Sequence, residues 1–189
     1  MKFWHLLVTT SMIWLLSEVI LAVVKRSASG SATKHDRSSL RFLWLTIIPA
    51  ISVGVYLGKS GIGHISFGAP WSSYLGFIFI LLGLLLRWSA ILTLRRYFTV
   101  DVAIAKDHKI VDRGLYKYVR HPAYSGALLS FLGLGLAFAN WMSVMVIVVP
   151  TTGAFMYRIK IEEAALSEAF SDEYVAYCRR TKRLIPKIY

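Results

Sequence analysis

Long apolar runs separated by short polar ones organise this chain. Residues 3–24, FWHLLVTTSMIWLLSEVILAVV, are long enough to cross about 30 Å of hydrocarbon as a helix. The length of this run, with Lys25 and Arg26 on its C-terminal side, predicts a span rather than a cleavable leader. A second run covers 42–58 and contains Pro49, which predicts a kink. A third covers 71–94. The last two, 123–139 and 141–159, are separated by Asn140, which predicts a tight helical hairpin. Beyond Tyr157, residues Ile161, Ala164, Ala165, Leu166, Ala169, Tyr174 and Tyr177 recur at helical spacings among charges, predicting an amphipathic helix against the membrane surface. The expected fold is an all-α polytopic membrane protein: one integral domain over 1–189 with about five transmembrane helices and polar segments at 95–122 and 158–189.

Composition sharpens this picture. Hydrophobic residues make up 56% of 189 positions, against about 45–50% in soluble chains. The formal net charge of +12 would suggest nucleic acid in a soluble protein. Here the cations cluster between apolar runs, at 25–41 and 95–121, so they predict contact with membrane lipids, with those segments in the cytoplasm. The N-terminus is then outside and the C-terminus inside, as in an integral protein of a prokaryotic inner or plasma membrane. No nucleic-acid partner and no required protein partner is evident. A single cysteine, Cys178, excludes an internal disulfide, and no ligand set for a metal stands out.

Three polar groups converge at the cytoplasmic ends of the last spans. KDHKIVDRGLY, residues 106–116, holds Gly114 for a tight turn and Ile110 and Val111 as an apolar wall, or is an ordinary loop. RHPAY, residues 120–124, sets Pro122 at a helix start with His121 and Tyr124 near the membrane surface, either an interfacial belt or the rim of a site. RIKIEE, residues 158–163, puts Arg158 and Glu162 on one helix face with Glu163 following, either a surface ion pair or part of that site. A tight hairpin brings the second and third together, and the set suits a polar cofactor with a lipid-attached substrate. Arg87 and Glu18, charges inside apolar runs, either line a lateral opening or satisfy backbone and each other.

The order HKIVDRGLYKYVRHPAYSG, then Gly133 and Asn140, then RIKIEE and FSDEYVAYCRRTKRLIP resembles the isoprenylcysteine carboxyl methyltransferases and the wider membrane group that includes phospholipid methyltransferases. The resemblance covers about residues 83 to 187 and implies S-adenosyl-L-methionine as cofactor. It implies cofactor binding by His108, Lys109, Ile110, Val111, Tyr116, His121, Pro122, Ala123, Tyr124 and Glu162, and it sets Arg158 against the methyl acceptor.

A lipidic or isoprenoid acceptor with a carboxylate needs no strong base, because its nucleophile is already ionised at neutral pH. An amine or thiol acceptor would need one, with His121 or Glu163 as candidates; Arg158 and Glu163 are therefore the expected catalytic pair. A phospholipid amine or a small thiol remains an alternative acceptor. An NADPH-dependent membrane reductase of the sterol type is the competing enzyme class.

Overall fold

The computed structural model describes residues 2–24, 34–66, 68–100 and 109–189. The helices in chain order are α1 (Lys2–Val24), α2 (Lys34–Ser60), α3 (Ala69–Leu94), α4 (Pro122–Ala137) and α5 (Trp141–Arg180). Two isolated β-bridges, His64 with Asn140 and Val119 with Lys182, are the extended pairings among the described residues. The chain is an all-α membrane protein. Helices α1, α2, α3 and α5 are each long and apolar enough to cross a bilayer, whereas α4 is a shorter apolar helix of 16 residues.

Several boundaries differ from the sequence expectation. Helix α2 begins at Lys34 rather than 42, with Pro49 inside it. No helix boundary falls at 159, because RIKIEEAAL is built of good helix formers and α5 runs on beyond its apolar part. The break comes instead at Ser171, whose φ of 42° and ψ of −117° interrupt α5. The C-terminal part of the helix thereby turns Tyr174 and Tyr177 inward, where both are buried. Much of the two expected cytoplasmic loops, at 25–33 and 101–108, lies outside the described residues.

Small residues decide how closely the helices approach. Gly83 of α3 faces Gly126 of α4, and a Cβ on Gly126 would stand 2.6 Å from both the Gly83 carbonyl oxygen and the Arg87 backbone nitrogen. Gly76 and Gly133 meet in the same way one heptad further along, so α3 and α4 pack backbone against backbone. Ser130 reinforces the seam by donating to the Ile80 carbonyl at 3.3 Å. Helix α2 packs on α5. Helix α1 docks through long side chains, with Trp14 against Phe131 and Phe3 against Tyr74 and Phe77.

The turn between α4 and α5 is fixed by Asn140. Its buried side chain accepts from Ser143 N at 2.9 Å, capping α5, and donates to the carbonyls of Ile62 at 2.7 Å and Leu57 at 3.2 Å. This is the far end of the bundle. At the other end, α1 and α3 finish while α2 and α4 begin, and the extension of α5 comes back over them. The described parts of all three polar groups singled out in the sequence, 109–116, 120–124 and 158–163, belong to that end.

Candidate active site

A cavity of about 780 Å³ opens at this end and continues between α1 and α2 toward the far end. Its polar part is lined by Lys109, Ile110, Val111, Tyr116, Arg120, His121, Ala123, Tyr124, Arg158 and Glu162, with Tyr174 and Tyr177 from beyond the Ser171 break. Its apolar part runs past Trp14, Leu43, Ile47 and Phe131 to Trp4 and Phe138.

Local sequence explains how these side chains are presented. Gly114 adopts φ 59°, a left-handed conformation open to glycine, and starts the short 3-10 turn that buries Tyr116. The Tyr177 hydroxyl donates to the Tyr116 carbonyl at 2.8 Å and pins the turn to the end of α5. Burial, then the charge of Glu162, raises the Tyr116 pKa, so this phenol stays protonated. Pro122 occupies the first turn of α4, where a missing N–H is harmless, and His121 precedes it. The His121 and Tyr124 rings stack at 5.6 Å with 16° between planes, and the Tyr124 hydroxyl donates to Glu162 Oε2 at 2.8 Å.

The two neighbouring acids behave differently, because consecutive positions on a helix point about 100° apart. Glu162 lines the cavity. Glu163 lies behind its wall and accepts from Arg120 Nε at 3.0 Å and Arg183 Nε at 2.9 Å, with His121 Nε2 at 3.3 Å. Burial opposes the Glu163 charge, but the hydrogen bonds from His121, Arg183 and Arg120 outweigh it and bring its pKa down to about 2. A carboxylate so held is a poor base. Arg120 also donates to the Thr181 carbonyl at 2.6 Å, and Arg120 N and His121 N donate to the carbonyls of Lys182 and Arg183 at 2.7 and 3.0 Å. The segment after α5 therefore straps the RHPAY turn in place.

Arg158 is buried and donates through Nη1 to Ser39 Oγ at 2.8 Å and through Nη2 to the Val100 carbonyl. Arg87 and Glu18 form a two-pronged ion pair, and Arg87 Nη1 donates to the Ala123 carbonyl at 3.2 Å. Of the expected residues, the structure brings Lys109, Ile110, Val111, Tyr116, His121, Ala123, Tyr124, Arg158 and Glu162 to one cavity. It does not bring Pro122, which is fully buried, or Glu163. His108 lies outside the described residues. Sequence reasoning singled out Arg120 only as part of the RHPAY rim, and it missed Ser39, Arg183 and the site-facing role of Tyr174 and Tyr177.

The comparisons with known proteins bear on this arrangement. The model of the isoprenylcysteine carboxyl methyltransferase (ICMT) family matches residues 75–168. Protein-S-isoprenylcysteine O-methyltransferase A of Arabidopsis thaliana is 31% identical over 179 residues, covering 90% of this chain and 86% of that protein. The chain belongs to the isoprenylcysteine carboxyl methyltransferase family. It is also 36% identical over 118 residues to protein-S-isoprenylcysteine O-methyltransferase B of the same plant, a match spanning 61% of this chain and 60% of the relative. It resembles the solved structure of a eukaryotic intramembrane Ras methyltransferase ICMT with TM-score 0.54 and 27% identity, over 80% of this chain and 52% of that one. The family match takes in the whole of α4 and α5 as far as residue 168, with Arg158 and Glu162, while Tyr174, Tyr177 and the α1 and α2 walls of the apolar part lie outside it.

Proposed function

We propose that this ICMT-family protein is an S-adenosylmethionine-dependent methyltransferase that esterifies the carboxylate of an isoprenylcysteine-like lipidic acceptor at the membrane interface. The carrying observation is one continuous cavity whose polar end holds Arg158, Glu162, His121 and Tyr124 and whose remainder is an apolar groove between α1 and α2. Such a shape suits an acceptor that is charged at one end and oily at the other.

The residues fit the methyl donor on independent grounds. Tyr174 lines the cavity, is buried, and its hydroxyl has no hydrogen-bond partner among the described residues. A buried hydroxyl left so is destabilising by about 1–3 kcal/mol, which a polar ligand would relieve. Glu162, Tyr116, Tyr124, His121 and Tyr174 would hold the cofactor, with Lys109, Ile110 and Val111 against its ring. When bound, S-adenosylmethionine supplies an electrophilic sulfonium methyl group.

Arg158 orients the acceptor carboxylate, and Ser39 and the Val100 carbonyl keep the guanidinium from swinging. A carboxylate ionised at neutral pH attacks without surrendering a proton. No general base is required, which agrees with Glu163 being committed to Arg120 and Arg183. Alignment can supply about 7–11 kcal/mol of barrier reduction, far more than one charged hydrogen bond at about 1.5–3 kcal/mol. Positioning by a rigid site is therefore the main contribution of this chain. Glu163 is a positioning residue for His121 and Arg120.

The proposed topology has five crossings, α4 included, with the N-terminus outside and the site in the cytoplasm; the basic segments between spans support it. The direct test is transfer of a labelled methyl group from S-adenosylmethionine to S-prenylated cysteine with a free carboxylate, scored as base-labile ester. Labelled ester with the free acid and none with its carboxamide is the expected result. Transfer to the carboxamide alone, or to neither, removes carboxyl methylation.

A further inference from the structure

The segment after α5 meets lipid as well as the site. Leu129, Leu132 and Leu136 of α4 are half-buried and absent from the cavity wall, so they form the lipid-facing stripe of that helix. Ser125 heads the stripe one turn before Leu129. Its hydroxyl donates to the Leu184 carbonyl at 2.6 Å, which fastens residues 181–189 over the lipid-facing side of α4. The 16 residues of α4 advance about 24 Å, less than the roughly 30 Å of hydrocarbon. In the five-crossing topology α4 therefore starts at the headgroup boundary, and the segment bound to its first turn lies at that depth. Ile185 and Ile188, 50% and 74% exposed beside the exposed Lys182 and Lys187, suit a layer that is oily on one side and charged on the other.

A cleft of about 220 Å³, separate from the site cavity, opens here, with Arg120, Thr181, Lys182, Arg183, Ile188 and Tyr189 in its walls. Those walls carry the cations Arg120, Lys182 and Arg183 and, among the described residues, no acid. Glu163 behind them offsets one charge, and the Lys182 ammonium pairs with no acid among the described residues. We infer that this cleft binds the phosphate of an anionic phospholipid from the leaflet on the side of the site, with Lys182 as its main contact and the acyl chains running past Ile185 and Ile188 onto the α4 stripe. A zwitterionic lipid is disfavoured, because its ammonium would face the same cations. Occupancy would reach the site through the strap. Arg120 N and His121 N donate to the carbonyls of Lys182 and Arg183, and Arg183 holds Glu163, which faces His121. A headgroup that fixes the strap therefore fixes His121 at the cavity wall and tightens cofactor binding. That last step rests on the cofactor reading of the cavity, whereas the lipid site does not.

The test uses the full chain in phosphatidylcholine nanodiscs with trace spin-labelled phosphatidylglycerol or phosphatidylcholine, and reads the fraction of each lipid immobilised on the protein. Phosphatidylglycerol is expected to associate about fivefold more strongly, the weight of one lysine at an anionic headgroup. Lys182→Gln combined with Lys187→Gln should remove at least half of that preference, and Lys160→Gln, exposed on α5 and outside the cleft, should keep it. A phosphatidylglycerol with a photoreactive headgroup should label residues 178–189 of the unaltered protein, so the result does not depend on any variant folding. Equal association of the two lipids, a preference unmoved in the double variant, or labelling confined to other segments overturns the site. Loss of the preference in excess inorganic phosphate at constant ionic strength would assign the cleft to a free anion and overturns it too. Affinity for S-adenosylhomocysteine is measured in the same nanodiscs and should rise about fivefold on adding phosphatidylglycerol, with the reciprocal rise in lipid association when S-adenosylhomocysteine is present. A lipid preference with affinity indifferent to it overturns the coupling through the strap. A lipid preference with no S-adenosylhomocysteine binding at all supports the lipid site and removes the cofactor reading.

Discussion

Arg87 of α3 and Glu18 of α1 meet in a two-pronged ion pair inside the apolar bundle, with Nε–Oε1 at 2.6 Å and Nη2–Oε2 at 2.7 Å. Trp14 adds a third bond to the same carboxylate at 3.3 Å, and Arg87 reaches the Ala123 carbonyl beside the site. Charges in hydrocarbon are strongly destabilising alone and tolerable as a satisfied pair. The pair therefore fastens α1, the helix that otherwise docks only through scattered side chains, to the α3–α4 unit.

Removing one partner should be worse than removing both. Glu18→Ala leaves a buried guanidinium and is expected to destabilise by about 3–5 kcal/mol, whereas Glu18→Leu with Arg87→Met should lie near the wild type. Thermal unfolding of detergent-solubilised protein reads the difference. Additive losses in the double variant would show that the pair is not coupled.

Ser171 carries a backbone conformation, φ 42° with ψ −117°, that L side chains rarely adopt. Ser171→Gly should remove about 1–3 kcal/mol of strain, set against a smaller entropic loss from the added backbone freedom, and raise the melting temperature. Ser171→Val, which stiffens the same position, should lower it and loosen Tyr174 and Tyr177 together. Equal melting temperatures for both variants would mean that the break carries no strain.

The legible part of this fold was what apolar periodicity and rare charges report. Five apolar runs, the hairpin at Asn140, and the odd charges Glu18 and Arg87 all stand out against their neighbours, and RHPAY and RIKIEE do form one site end. Other elements left no such mark. Val100 contributes a backbone carbonyl, which every residue type carries equally, and Ser39 lies in the polar stretch ahead of the expected span at 42, whereas α2 begins at Lys34. Tyr174 and Tyr177 did register at helical spacing, but a turn at Ser171 aims them at the protein rather than at lipid. The resemblance separates Glu162, as a cofactor ligand, from Glu163, a candidate base, and the direction of each along α5 leaves Glu162 on the cavity wall and Glu163 behind it, held by two arginines.

The anchor makes a pH prediction. The Glu163 carboxyl sits at about 2 in the fold, below the ordinary value of about 4.3. Its stabilising contribution is complete above that ordinary value and is lost as pH falls through about 2. At about 1.4 kcal/mol per unit, the contribution reaches up to about 3 kcal/mol at neutral pH. Glu163→Gln should be less stable than the wild type at pH 7, and the gap between the two melting curves should narrow as pH is lowered from about 5 toward about 2. Parallel curves across that range would remove Glu163 from the acid dependence.

Cofactor binding divides the site differently. Glu162→Ala removes both a cavity carboxylate and the acceptor for the Tyr124 hydroxyl. Its affinity for S-adenosylhomocysteine should fall roughly 10 to 150-fold, the weight of one charged hydrogen bond. Tyr116→Ala should also weaken binding, while Tyr124→Phe, which leaves the ring stacked on His121, should weaken it less than either. Calorimetry on the folded variants checks the order. Unchanged affinity in Glu162→Ala and Tyr116→Ala would remove both from the cofactor site.

Arg158 tests whether the acceptor is a carboxylate. Its guanidinium is held by Ser39 Oγ and the Val100 carbonyl, so it reaches the cavity in one fixed orientation. A lysine there keeps the charge and loses the planar fork that grips two carboxylate oxygens at once. Arg158→Lys should therefore lower turnover on a carboxylate acceptor by two orders of magnitude or more, as expected when alignment is lost, with cofactor affinity nearly preserved. His121→Ala should do the opposite, weakening cofactor binding first. Ser39→Ala separates holding from charge, because it frees one nitrogen of the fork without altering its charge; turnover should fall less than in Arg158→Lys, with KM rising. Wild-type turnover in Arg158→Lys would mean that the arginine does not orient the acceptor, and a nucleophile deprotonated by His121 would then account better for a site whose second acid, Glu163, is already bound by two arginines.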